Sequence, residues 1–158
     1  MGHTYTATVE WVREGATFTD KRYSRGHRWL FDGGVEVPAS SSPLHVRVPF
    51  SREDAVDPEE AYVAALSSCH MLFFLDFAAR SGFVVNSYRD EAFGTMGRSE
   101  EGSEYVAEVR LRPAIAFAGE TPPSEAEIAD LHHRSHGACY LANSVRTAIV
   151  IDGVAAHP

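Results

Sequence analysis

The longest apolar stretch of the chain runs from Tyr62 to Phe77, and helix-capping residues flank it on both sides. Asp57 and Pro58 suit the N-cap and the first helical position, and Gly82 suits the left-handed residue that closes a helix. The pattern therefore predicts a helix between Asp57 and Gly82. Because apolar side chains occur around most of its circumference, we expect it to be covered on most sides.

A membrane-spanning helix is the alternative interpretation of this stretch. A bilayer span needs about 20 predominantly apolar residues. The apolar run is shorter than that and contains Ser67, Ser68, His70 and Asp76. The N-terminus also lacks the basic and then apolar pattern of a signal peptide. We therefore predict a core helix, no membrane association and a cytoplasmic protein.

Alternating apolar and polar residues predict β-strands before this helix. Apolar side chains at Tyr5, Ala7, Val9 and Trp11 alternate with polar ones, which is the period of a strand with one buried face. Residues 32–34 have the composition of a turn between two strands. The strands predicted in this part of the chain are Thr4–Trp11, Ala16–Thr19, Arg28–Phe31, Val35–Val37 and Leu44–Val48.

The same alternation returns after the helix. Ser124 and Glu127 form the sequence pattern of a capping box, which predicts a second helix that breaks near Gly137. The order of elements predicts an α+β fold with helices packed on antiparallel sheets. No linker divides the chain, so we expect residues 1–158 to form a single domain. The strands predicted after the first helix are Phe83–Tyr88, Glu91–Met96, Glu104–Arg112 with an extension to Phe117, and Thr147–Ile151.

Composition limits the classes of function. The 158-residue chain has a formal net charge of −8, which argues against unspecific nucleic-acid binding because such binding needs clustered Lys and Arg. Its two cysteines are Cys69 and Cys139. In a cytoplasmic protein we do not expect them to form a permanent structural disulfide. They are therefore buried bystanders, metal ligands or a redox pair.

Cys69 lies in the middle of the predicted helix, where burial alone makes a thiol unreactive. A functional thiolate needs a nearby cation, and Arg47 and Arg52 are the candidates ahead of the helix. Glu59 and Glu60 are candidate partners for such an arginine, although acidic residues in a first helical turn are also ordinary. Ten helical residues, or ~15 Å along the axis, separate Glu59 from Cys69. We therefore expect any site that uses both to be built across the two chains of a homodimer.

His132, His136 and Cys139 form a second candidate site. The two histidines are four residues apart and would share a helix face, and Cys139 follows three residues later. Imidazole and thiolate at these spacings suit zinc. The alternative interpretation is a set of exposed, solvated histidines, since no second cysteine pair lies nearby.

Three segments of the chain carry a resemblance to a known family. They are residues 57–60 around Glu59, residues 68–70 around Cys69, and residues 136–145 around Cys139. Together they resemble the OsmC/Ohr family of thiol-dependent hydroperoxide reductases, most closely its OsmC-like branch, over residues 44–151. The resemblance implies a swapped α+β homodimer, with antiparallel sheets around a long central helix and with sites at the interface.

The resemblance also implies roles for individual residues. Cys69 is expected to be the peroxidatic cysteine and Cys139 the resolving cysteine. Glu59 is expected to hold an arginine beside the thiolate, with Arg47 as the first candidate and Arg52 as the second. The implied activity is the reduction of organic hydroperoxides, with a dithiol as reductant and without a metal or organic cofactor. An apolar-ligand-binding protein of the same fold, without peroxidase turnover, is the alternative.

Overall fold

The computed structural model of the chain describes residues 2–154. The order of helices and strands confirms the predicted α+β class. Its helices are α1 (Pro58–Arg80), α2 (Glu125–Ala138) and a short 3₁₀ helix (Ala142–Ser144). Its strands are β1 (Ala7–Glu10), β2 (His27–Phe31), β3 (Glu36–Ala39), β4 (Val84–Asp90), β5 (Phe93–Arg98), β6 (Glu104–Leu111), β7 (Pro113–Ala118) and β8 (Ala148–Ile151). The chain forms an N-terminal compact unit that ends at Ala61 and a C-terminal one that begins at Tyr62.

The N-terminal unit contains an antiparallel sheet in the order β1-β2-β3. Trp29 of β2 lies opposite Val9 on one side and Val37 on the other. The turn predicted between β2 and β3 is confirmed, and it is closed by a hydrogen bond from the Gly34 amide to the Phe31 carbonyl at 3.0 Å. Strand β1 is shorter than predicted.

The strand predicted over Ala16–Thr19 is wrong. This segment is irregular and then forms turns. Glu14 and Gly15 precede it with φ angles of 49° and 80°, and two successive positive φ angles reverse the direction of a chain. Such a reversal suits a hairpin, but β1 pairs with β2 and not with this segment.

The strand predicted over Leu44–Val48 is also wrong, because these residues form turns as well. The Ser42 carbonyl accepts hydrogen bonds from the His45 and Val46 amides, each at 3.0 Å. Backbone groups that bond locally in this way cannot pair with a neighbouring strand. Arg47 consequently lies in an irregular segment rather than on a strand, and its carbonyl accepts a hydrogen bond from the Phe50 amide at 3.0 Å.

Helix α1 begins and ends as the sequence predicts. Asp57 Oδ1 accepts a hydrogen bond from the Glu60 amide at 2.8 Å, and Glu60 Oε2 accepts one from the Asp57 amide at 3.2 Å. This reciprocal pair satisfies backbone groups that the first turn leaves free. Gly82, with φ of +82°, closes the C-terminus in the left-handed conformation.

Only one stripe of α1 is buried, so the expectation of cover on most sides is not met within one chain. Leu66, His70, Phe74 and Ala78 are buried at intervals of four residues, whereas Leu72 is 61% exposed. By length and composition, α1 is the one helix within residues 2–154 that could cross a membrane. That is weak evidence, because the core helices of globular proteins have the same composition.

Two apolar clusters hold α1 in the C-terminal unit. One joins the helix to β6 and β8, and the other joins it to α2. Both clusters lie along the buried stripe of α1, which supports the prediction of a core helix. Their fully buried members are Leu66, Val109, Leu111 and Ile151 in the first, and Phe74, Ala78 and Leu131 in the second.

The C-terminal unit contains a three-stranded sheet, β5-β6-β8, and a two-stranded sheet, β4-β7. Strands β6 and β8 are parallel, which is an exception to the antiparallel pattern expected. The single strand predicted through Pro113 is instead two strands in different sheets. Arg112 separates them and donates its amide to Asp90 Oδ1 at 2.6 Å, and Pro113 has no amide hydrogen to extend the ladder.

Helix α2 begins with the predicted capping box between Ser124 and Glu127. The predicted break at Gly137 is wrong, because the helix continues to Ala138 and Cys139 is its C-cap. The Cys139 amide donates to the Ser135 carbonyl at 2.9 Å. The uninterrupted helix therefore fixes the position of Cys139 at the end of α2.

Candidate active site

The two cysteines of the chain come together in the C-terminal unit. Cys69 lies in the middle of α1, and Cys139 follows the last turn of α2. The Cys139 thiol lies close enough to the Cys69 thiol for Cys69 to raise its pKa, and both are free thiols. Cys139 is buried, whereas Cys69 is half-buried. Two sulfur atoms far apart in sequence are thus neighbours, as a reaction between them requires.

The environment of Cys139 keeps it protonated. Burial, followed by the hydrogen bond with Cys69, raises the pKa of Cys139 to about 11. The Ala142 amide donates to Cys139 Sγ at 3.4 Å and partly offsets this effect. A thiol with so high a pKa is a poor first nucleophile at neutral pH. The high pKa therefore disfavours Cys139 as the thiol that would attack a substrate first.

A cavity of about 430 Å³ opens over Cys69. Its walls are largely apolar, and the Tyr140 ring meets the Phe73 ring edge-on at 5.2 Å between centroids. The described residues that line it are Ala65, Ser68, Cys69, Leu72, Phe73, Asp76 and Tyr140. This lining contains no Arg, Lys or His. A cation for a Cys69 thiolate must therefore come from outside these residues.

Glu59 lies in a second cavity, of about 460 Å³, within the N-terminal unit. One wall of this cavity is aromatic, and its opposite charges are those of Arg25 and Glu59. The described residues that line it are Val9, Trp11, Phe18, Tyr23, Arg25, His27, Ser40, Ser41, Pro58 and Glu59. The cavity therefore offers an arginine and a carboxylate next to an apolar surface.

The Arg25 guanidinium is held from one side only. Its Nη1 donates to the carbonyls of Lys21 and Tyr23 at 2.7 and 2.6 Å, and the group lies 3.9 Å from the centroid of the Tyr23 ring. Within residues 2–154 its other nitrogen atoms have no hydrogen-bond partner. These donors remain available for a carboxylate or a thiolate.

Arg25 is not among the arginines predicted from the sequence. The available signal was a cation two residues after Tyr23 and just ahead of a strand, in a stretch rich in aromatic residues. Arg47 is exposed, and its guanidinium lies 6.0 Å from the Phe50 ring centroid. Arg52 forms an exposed salt bridge with Asp54 at 2.9 Å. Neither arginine lines the cavity that contains Glu59.

His132, His136 and Cys139 do not form a metal site. His132 is buried against His70, His136 is exposed, and Cys139 contacts Cys69. Within residues 2–154 no three His, Cys, Asp or Glu side chains are placed to hold a metal ion. The zinc hypothesis therefore has no support in the arrangement of these residues.

The two buried histidines form a contact that the sequence analysis also missed. His70 Nε2 and His132 Nδ1 are 3.0 Å apart, and the rings are nearly parallel at 12°. Burial, the largest cause in each case, lowers the pKa of His70 to about 3 and that of His132 to about 4. Both imidazoles are therefore neutral at physiological pH. His70 Nδ1 is buried and has no partner among the described residues.

Comparison with known families gives a specific match. The family model described as OsmC-like protein matches residues 51–153 of the chain. Among curated proteins, none matches the sequence. The resemblance to OsmC/Ohr proteins that the three motifs carry is confirmed by the family match.

Solved structures show the same fold. An OsmC-like protein of unknown function from Vibrio cholerae is 47% identical, with 96% of this chain and 99% of that chain covered and a TM-score of 0.94. An organic hydroperoxide resistance protein from Elizabethkingia anophelis is 20% identical, with 96% and 94% covered and a TM-score of 0.69. The organic hydroperoxide resistance protein OhrB of Bacillus subtilis is 13% identical, with 94% and 95% covered and a TM-score of 0.62. At these lower identities the last two similarities concern the fold alone.

Proposed function

Because the chain belongs to the OsmC-like protein family, we propose that it is a thiol-dependent peroxidase that reduces organic hydroperoxides. The observation that carries this proposal is the contact between the Cys69 and Cys139 side chains. Two relatives by fold are named organic hydroperoxide resistance proteins, which agrees with a hydroperoxide substrate. The apolar lining of the cavity over Cys69 favours a substrate with an organic group over hydrogen peroxide.

In the first step the Cys69 thiolate attacks the outer oxygen of the hydroperoxide. An S–O bond forms, the O–O bond breaks, and the organic part leaves as an alcohol after it takes up a proton. Cys69 becomes a sulfenic acid. We propose that Arg25, held by Glu59, stabilises the negative charge of this step, because these two residues line one cavity. Arg47, the first candidate from the sequence, remains a prediction. The comparison of Arg25→Met with Arg47→Met tests it.

In the second step Cys139 attacks the Cys69 sulfenic acid. The S–S bond forms, the S–O bond breaks and water leaves, which protects Cys69 from irreversible oxidation. A dithiol then reduces the protein disulfide and is itself oxidised to a disulfide. The chemistry uses no metal or organic cofactor. A cytoplasmic location suits it, because thiols are kept reduced there.

A homodimer with shared sites completes the proposal. Within residues 2–154 no cationic residue lines the cavity over Cys69, and Glu59 lies ten residues, or ~15 Å, along α1 from Cys69. Exposed apolar side chains on α1, such as Leu72, also need cover. We propose that a partner chain covers this face and supplies Glu59 and the arginine to each Cys69.

The test is turnover of cumene hydroperoxide with dithiothreitol as reductant. The wild-type protein should consume peroxide continuously and accumulate a Cys69–Cys139 disulfide when the reductant is withheld. Cys69→Ser should abolish consumption, because the nucleophile is lost. Without reductant, Cys139→Ser should consume about one equivalent per chain as Cys69 becomes a sulfenic acid, and with excess hydroperoxide about one more as the sulfenic acid becomes a sulfinic acid that no longer reacts. Full activity of Cys69→Ser would rule the proposal out.

A ligand-binding protein of the same fold is the second candidate, and the open apolar cavity over Cys69 is the observation that favours it. It predicts thiols that do not react with cumene hydroperoxide, together with saturable binding of an apolar fluorescent probe. Probe binding should then be the same in the wild type and in Cys69→Ser. Rapid loss of one thiol per chain on addition of the hydroperoxide supports the peroxidase instead.

A further inference from the structure

Helices α1 and α2 are joined by two polar contacts that involve neighbouring residues. Cys69 contacts Cys139, and the next residue of α1, His70, contacts His132. His132 precedes Cys139 by seven residues, which is about two helical turns, so the two lie on the same face of α2. The histidine pair therefore lies beside the cysteine pair on both helices.

Filling the core with a histidine pair costs free energy. His70 and His132 are 2% and 3% exposed, and buried polar groups cost free energy that their mutual hydrogen bond only partly returns. The Phe74 ring packs against the pair, with its centroid 4.5 Å from that of His132, and Asp90, His133 and His136 are close enough to affect the pKa values of the two imidazoles. Apolar side chains of similar volume would pack here at least as well.

A hydrogen bond supplies what apolar packing lacks, namely a fixed distance and direction. The His70 Nε2 to His132 Nδ1 bond of 3.0 Å joins α1 to α2 at one defined separation. We propose that this bond is a positioning device that holds Cys69 and Cys139 in register for disulfide formation. Because burial keeps both imidazoles neutral, they act by position and not as acid or base.

Register matters because two reactions compete for the oxidised cysteine. The Cys69 sulfenic acid and the Cys139 thiol combine to give a disulfide and water, whereas a second hydroperoxide molecule would convert the sulfenic acid to a sulfinic acid and an alcohol. A longer distance between the sulfur atoms slows the first reaction and leaves the second unchanged. This consequence rests on the proposed peroxidase function, but the effect of register on the disulfide itself does not.

Two matched variants of His132 separate hydrogen bonding from packing. His132→Asn keeps a polar atom near the position of Nδ1, and His132→Leu has a similar shape without one. The folded proteins are equilibrated with mixtures of reduced and oxidised glutathione, and the equilibrium constant for the Cys69–Cys139 disulfide is measured. We expect His132→Leu to weaken the disulfide about tenfold, as the loss of one hydrogen bond allows, and His132→Asn to stay within about threefold of the wild type.

A second matched pair, His70→Gln and His70→Met, repeats the comparison from the other helix and serves if His132→Leu does not fold. With hydroperoxide, the leucine and methionine variants should lose the first thiol at the wild-type rate but accumulate more Cys69 sulfinic acid by mass spectrometry. Equal disulfide constants in the wild type and the folded apolar variants would overturn the proposal. Equal losses in the polar and apolar variants would also overturn it, because packing alone would then set the register.

These readouts distinguish the inference from the proposed function. The glutathione equilibrium needs no peroxidase activity, so the positioning role can hold even if hydroperoxides are not substrates. Conversely, continuous turnover with an unchanged disulfide constant in His132→Leu would leave the peroxidase standing and remove the positioning role.

Discussion

At the scale of single residues, Arg25 and Arg47 differ in what surrounds them. Arg25 lines a cavity with Glu59 and is held by two backbone carbonyls, whereas Arg47 is exposed in an irregular segment. We expect Arg25→Met to slow the oxidation of Cys69 roughly a hundredfold, because a charge that stabilises the transition state is lost. Arg47→Met is the matched control and should stay near the wild-type rate. The rate of Cys69 oxidation in each variant is measured as the loss of the Cys69 thiol in a single turnover with cumene hydroperoxide.

The opposite result has a clear meaning. If Arg47→Met slows Cys69 oxidation and Arg25→Met does not, the arginine assigned first from the sequence is the correct one. If both variants react at the wild-type rate, neither arginine stabilises the thiolate, and the charge needed at Cys69 must have another source.

The buried histidines make stability depend on pH. Burial lowers the pKa of His70 to about 3 and of His132 to about 4, whereas histidine in an unfolded chain has a pKa near 6.5. Below pH 6.5 the unfolded chain therefore binds protons that the folded chain does not. As the pH is lowered from 6.5 to about 4, the free energy of unfolding should fall by about 1.4 kcal/mol per pH unit for each histidine. Urea unfolding across this range measures the slope.

The control for this slope is the double variant His70→Met with His132→Leu. It keeps the remaining groups that influence the pair, Asp90, His133 and His136. Its stability should depend less steeply on pH between 6.5 and about 4 than that of the wild type. The same slope in both proteins would show that the two imidazoles are not buried in the neutral form.

Single residues also show what the sequence can predict. Cys69, Cys139 and Glu59 stand in motifs with recognisable neighbours, so their candidacy follows from the sequence and a resemblance. The motifs carry no information about which arginine lies beside Glu59, because Arg25 reaches that cavity through the tertiary packing of an irregular segment. The contact between His70 and His132 is long-range as well, and periodicity describes only one element at a time.

At the scale of elements, the same substitution at two helix ends should have opposite effects. Gly82 closes α1 with φ of +82°, whereas Gly137 lies in the last turn of α2, and a Cβ at either position would meet no atom within 4 Å. Gly82→Ala should destabilise the protein by about 1 kcal/mol, since side chains rarely adopt positive φ. Gly137→Ala should stabilise it by about 0.5–1 kcal/mol, because alanine favours a helix.

Thermal or urea unfolding of the two variants measures both signs. The proteins carry the same added methyl group in open space, so a difference between them comes from backbone conformation. Destabilisation by Gly137→Ala would mean that α2 ends before this residue, as the sequence analysis predicts, and would place Cys139 in a loop rather than at a helix C-cap.

The elements also show where pattern and structure diverge. The caps of α1 and α2 are predictable because Asp57 with Glu60, and Ser124 with Glu127, act within a few residues of each other. The strand predicted over residues 44–48 is not formed, because the Ser42 carbonyl captures local amides instead. An alternating pattern records which side chains are apolar, and a strand further requires a neighbour to pair with.

At the scale of the whole molecule, the exposed face of α1 argues for a second chain. Leu72 and Tyr140 are 61% and 71% exposed beside Cys69. The sequence predicts the excess of apolar residues on α1, and the fold of one chain buries only one stripe of them. A dimer that covers the remaining face would bury the apolar surface of α1 and bring a cation to the Cys69 thiol.

Mixing two inactive variants tests whether the active site is shared between chains. In a mixed dimer of Cys69→Ser with Glu59→Gln, one site would combine the intact Glu59 of the first chain with the intact Cys69 of the second. Random exchange of subunits makes half of the dimers mixed and restores one of their two sites, so about one quarter of the wild-type activity should return. If each site belonged to one chain, every site would carry a substitution and mixing would restore nothing.

Cys69→Ser mixed with Cys139→Ser is the control, because both cysteines belong to the same chain's site and mixing should add no sustained turnover. Activity that returns in the first mixture and not in the control therefore requires Glu59 to act on the Cys69 of its partner.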